Sequence, residues 1–109
     1  MEIELTVLER LVLSNLLPKE GNFTNLKIIR QLKEDLSFDE LENKRLGFIQ
    51  DGDQVKWNME AGAKIMKKLE FADDSIMKET IIKELKKLND ENKLRDEHFT
   101  LYEKFVKSE

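Results

Sequence analysis

Few side chains in this sequence could do chemistry, and those few are scattered. The single histidine, His98, follows Asp96 and Glu97, and there is no cysteine. Disulfides, thiol nucleophiles, Cys-ligated zinc and iron–sulfur clusters are therefore excluded. One imidazole cannot build a multi-histidine metal centre within the chain. Asp51-Gly52-Asp53 opens like a calcium loop, but the sixth and twelfth positions, which need Gly and Glu, hold Lys56 and Gly62. A hairpin turn accounts for the same residues more simply. The carboxylate pairs Glu2/Glu4, Asp73/Asp74 and Asp96/Glu97 could act as acid and base only in a cleft that separates their pKa values. Two of these pairs stand where a helix N-terminus favours negative charge. The glycines, at 21, 47, 52 and 62, form no phosphate loop. No catalytic, cofactor-binding or metal residue is assigned, and the expectation is a protein that is not an enzyme and uses no cofactor.

Binding chemistry is the alternative. Nineteen Lys and Arg stand against 23 Asp and Glu, a net charge of −4. Such a balance opposes attraction to nucleic acid or anionic lipid. Residues 1–60 hold 8 basic and 12 acidic residues, and residues 61–109 hold 11 of each, so neither half is basic. Trp57, Tyr102 and the six Phe are spaced as core residues and are not interleaved with Arg or Lys as a base-stacking platform would be. Trp57 is either core or an interface anchor. The order helix, helix, short helix, hairpin matches that of a winged helix, in which the third helix would enter the major groove. That helix leads with Asp39, Glu40 and Glu42. The second helix offers Lys27, Arg30 and Lys33 with Glu34 and Asp35 beside them. A DNA-binding regulator is thus the second reading. The N-terminal residues lack the cationic region of a secretory signal, and the apolar stretch 7–17 is too short and too interrupted to span a bilayer. A soluble cytoplasmic protein is expected.

The elements that would position these residues follow from periodicity. Ile3, Leu5 and Val7 alternate with polar residues, which suits a strand at 2–5. Thr6 and Glu9 have capping-box spacing and open a helix over 7–17, with Leu8, Leu11, Val12 and Leu16 as its stripe. Thr24 is read as the N-cap of a second helix reaching residue 36, with Ile28, Ile29, Leu32 and Leu36 on one face. Ser37 or Asp39 starts a short third helix over 39–45 with Leu41 inward, and Gly47 ends it. Asp51-Gly52 is read as a two-residue turn that puts Leu46, Phe48, Val55 and Trp57 on one buried side. Residues 64–71 fit either a helix or a strand. A third strand is preferred, with Ile65, Leu69 and Phe71 on one side, because Gly62 suits a turn and a lone hairpin is marginal. Asp73 or Asp74 is taken to cap a helix whose stripe is Met77, Ile81, Leu85 and Leu88. Asp96 is taken to cap a last helix bearing Phe99, Leu101, Tyr102, Phe105 and Val106. The expected fold is α+β in a single domain, 1–109, with N-terminal helices, a small antiparallel sheet around Asp51-Gly52 and two C-terminal helices packed on it.

The stretches Gly52-Asp53-Gln54-Val55-Lys56-Trp57-Asn58 and Leu101-Tyr102-Glu103-Lys104-Phe105, with residues 11–19, resemble small acidic proteins encoded by tailed bacteriophages and prophages. The resemblance spans most of the chain and contains no chemically specific motif. It implies a bacterial cytoplasm and a role in binding other proteins, and it contributes no site residue. The expected function is a protein–protein interaction or self-assembling module, whose partner is a protein or a second copy of the chain.

Overall fold

The computed structural model describes residues 1–107. It is α+β, in the order β1 (Glu2–Leu5), α1 (Val7–Leu16), α2 (Phe23–Leu36), α3 (Glu40–Leu46), β2 (Ile49–Asp51), β3 (Gln54–Lys56), α4 (Met59–Gly62), β4 (Lys67–Glu70), α5 (Ile76–Asp90) and α6 (Asp96–Tyr102). A π-helical turn, Glu103–Lys107, continues α6.

The strands form two separate antiparallel ribbons, β1–β4 and β2–β3. The third strand expected near residue 69 is present, but it joins β1 and not the hairpin. The apolar pattern explains the choice. Ile3 and Leu5 are buried, and Ile3 lies opposite the half-buried Leu69. Pairing with β1 therefore continues one apolar face, whereas the hairpin strands are exposed along their whole length. α1 packs against β1, and Ile3, Leu5 and Leu69 join residues of α1, α2, α5 and α6 in one core. The main core gathers Ile3, Leu5, Leu13, Leu32, Phe71, Ile81, Leu85, Leu101 and Phe105, among others. Phe71 and Phe105 meet edge to face there, with centroids 5.9 Å apart.

The hairpin register differs from the one expected. Ile49 pairs with Lys56, Gln50 with Val55 and Asp51 with Gln54, so the loop residues are Gly52 and Asp53, not Asp51 and Gly52. Gly52 takes φ 62° at the first loop position, where glycine meets no steric cost. The shift moves each strand by an even step relative to its neighbour, so Phe48, Val55 and Trp57 keep a common face. Their burial does not follow. The ribbon projects, and only its base packs: Phe48 lies 5.0 Å from Phe38 and 6.1 Å from Trp57, centroid to centroid. Val55 stands exposed, while Leu46 is buried as the last residue of α3 and not as part of a strand. Val7, Leu46 and Ile65 form a second small core, with Leu11, Phe38, Phe48 and Trp57 against it.

Several helix details also change. Asn22 caps α2 in place of Thr24, and Ser75 caps α5 in place of Asp73 or Asp74. In each case a side-chain oxygen accepts the backbone N–H three residues on. Asp96 is the first residue of α6, and Arg95 holds the cap position. Gly62 lies in α4, not in a turn. A Cβ there would come 2.9 Å from Trp57 Nε1, so glycine admits the indole. Leu8, Leu41 and Phe99, read as core, are exposed, whereas Val7 and Leu13 are buried. α1 buries Val7, Glu9, Arg10, Val12 and Leu13, a face turned away from the expected stripe, and α3 buries only Leu46. The tyrosine Tyr102 and the residue Val106 are half-buried against the main core.

Candidate interaction surface

The structure does not bring the chemically capable residues together. His98 Nδ1 accepts the Arg95 N–H at 3.0 Å, and its Nε2 lies 3.9 Å from Glu97. The imidazole serves the first turn of α6. Among the described residues, no group of three or more His, Asp or Glu could hold a metal ion. Asp51 pairs with Lys56 at 3.1 Å across the hairpin, which places a cation where a calcium ligand would be needed. Glu2 and Glu4 share Lys68 at 3.9 and 3.8 Å on the exposed face of β1–β4. Asp73 and Asp74 are exposed ahead of α5. Trp57 is half-buried at the hairpin base, where it contributes to the small core.

The main electrostatic feature is read from sequence only as the Thr6–Glu9 capping box. Glu9 and Arg10, adjacent on α1, are 2% and 1% exposed. Arg10 Nε donates to the Leu36 carbonyl at 3.1 Å, and Nη2 donates to the Ser37 carbonyl, so the guanidinium closes the C-terminus of α2. Its Nη1 donates to Glu42 Oε2 at 2.8 Å, and the Phe38 ring lies 3.9 Å from Cζ. Glu42 in turn forms a capping box with Asp39 at the start of α3. One arginine thereby fixes α1, α2 and α3 together. Glu9 accepts the Thr6 N–H at 2.9 Å as the other half of its own capping box, and Lys104 donates to it at 2.6 Å. Lys104 also donates to the Glu4 carbonyl at 2.8 Å.

Burial raises the Glu9 pKa, but the Lys104 and Thr6 hydrogen bonds outweigh it and leave the carboxyl below its ordinary 4.5. The Arg10 hydrogen bond holds Glu42 below its ordinary value. The hydrogen bonds named in this network are all made within the protein, so its role is to hold the helices. The signal available in sequence was the two capping boxes and a charged pair set inside the apolar run 7–17.

The exposed apolar residues remain. Leu41 on α3, Ile49 on β2 and Met59 on α4 are 59%, 63% and 66% exposed, on elements that follow one another around the small core. Phe23 stands exposed at the start of α2, beside Lys27 and Arg30. Among the described residues, no helix is long and apolar enough to cross a membrane. Comparison with protein-family models, curated proteins and solved structures finds no match.

Proposed function

We propose that the chain is a non-enzymatic protein-interaction module, binding a partner protein or a second copy of itself. Its setting is the bacterial cytoplasm that the phage and prophage resemblance implies. The observation that carries this reading is the small lobe of α3, the hairpin and α4, which holds Leu41, Ile49 and Met59 in water. Exposed apolar side chains mark a contact surface where they form a continuous patch, and these three stand on elements built around one small core. The test compares the wild type with Leu41→Lys/Ile49→Lys. Light scattering over a range of concentrations and crosslinking in extract of the source cell would reveal a stoichiometric partner. The partner should be lost in the variant at unchanged melting temperature. A monomer with no stoichiometric partner, or binding indifferent to the variant, rejects the reading.

One observation favours a winged-helix DNA-binding regulator as the second reading. α2, the turn at 37–39, α3 and the hairpin follow in the required order. Moreover, Glu42 is turned inward to Arg10, which removes one acid from the face of α3 and leaves Lys44 and Arg45 exposed. Against it, Glu40 remains exposed 3.9 Å from Lys44, Lys56 is engaged by Asp51, and the net charge is −4. Fluorescence anisotropy with labelled duplexes should show no sub-micromolar binding at about 150 mM salt. Salt-sensitive binding lost in Lys44→Glu or Arg45→Glu would make the regulator the better reading.

A further inference from the structure

The β1–β4 ribbon leaves the outer edge of β4 open. Met1 and Phe71 exchange hydrogen bonds in both directions, each at 2.7 Å. Alternation along an antiparallel ladder makes Ile3–Leu69 and Leu5–Lys67 the next hydrogen-bonded pairs, and it turns the backbone groups of Glu2, Glu4, Lys68 and Glu70 outward. On the β1 side, Lys104 occupies the Glu4 carbonyl. On the β4 side, the N–H and C=O groups of Lys68 and Glu70 have no hydrogen-bond partner among the described residues.

The charges on this edge are also unbalanced. Glu70 lies directly opposite Glu2 in a non-hydrogen-bonded pair, where side chains come closest and like charges destabilise. Lys68 is drawn to Glu2 and Glu4, and Glu70 has no ion pair among the described residues.

We propose that β4 pairs antiparallel with β4 of a second copy, centred on Leu69. In that register, Lys68 of each copy faces Glu70 of the other, and each such pair exchanges both backbone bonds. The outward-facing groups are the ones this register uses. Leu69 meets its own equivalent on the two-fold axis, as a self-complementary contact requires. Lysines on a strand edge discourage most incoming strands, but here each meets an acid. A strand of this length buries well under the roughly 1,200 Å² of a stable interface, so the dimer forms only as concentration rises.

Sedimentation from about 10 μM to 1 mM, with amide exchange at Lys68 and Glu70, tests the pairing. Dimer should grow with concentration while those two amides become protected. Glu70→Lys should weaken the dimer about tenfold or more, since two lysines then face each other on both sides of the axis. Lys68→Glu/Glu70→Lys should restore it. That double variant only moves the like-charge contact within the chain from Glu2 to Glu4, so a simple folding defect would not be rescued. A monomer at every concentration, unprotected edge amides, or failure of the exchange to restore the dimer overturns the proposal. Association that is lost in Leu41→Lys/Ile49→Lys but not in Glu70→Lys also overturns it, and leaves the proposed function standing.

Discussion

Arg10 is 1% exposed and satisfies two carbonyls at the end of α2 as well as the carboxylate of Glu42. A buried charge is costly to desolvate, and removing one partner leaves the others unpaired. Arg10→Ala should therefore destabilise by about 3–5 kcal/mol, measured by urea unfolding. A loss comparable to that of an exposed pair would show that water replaces the guanidinium. Gly52 is the other position where residue identity decides. At φ 62°, Gly52→Val places a β-branched side chain in a strained region, at a cost of about 1–3 kcal/mol. Unchanged thermal stability would contradict the loop geometry. The glycine was legible because Asp-Gly is a strong turn signal. Arg10 was not, because its partners stand more than 25 residues away and no local pattern points to them.

Helices and strands were mostly recognisable, and their faces less so. The last helix illustrates both. It is amphipathic, and the structure buries Leu101 and Phe105 completely, yet Phe99 is 64% exposed. Phe105→Ala should cost about 3–5 kcal/mol, and Phe99→Ala about 0.5 kcal/mol or less, by the same melting experiment. Similar losses at the two positions would mean that the helix is rotated from the orientation described. Sequence gives the period of such a helix, but a rotation of one residue changes its face by 100°. The main core and the preceding loop decide that rotation. The same limit explains the exposed Leu8 and Leu41.

Across the whole molecule, the buried network links stability to pH. The Glu9 and Glu42 carboxyls are held below their ordinary values in the folded chain. Their contribution is therefore fully present above about pH 4.5 and is lost as pH falls through the lowered folded values. Glu9→Gln should be less stable than wild type at neutral pH, and the gap should narrow as acid protonates Glu9. A gap that stays constant from neutral to strongly acidic pH would show that the Glu9 charge does not support the fold. What the sequence by itself determined was local: the strand and helix periods, the Thr6–Glu9 capping box and the glycine in the hairpin loop. These depend on residues within one turn or one ladder step. Only the tertiary structure decided that β4 pairs with β1, that Arg10 joins three helices, and that β4 keeps an open edge. Each of those depends on which distant segments meet, because burial and charge pairing are properties of the assembled chain and not of any segment alone.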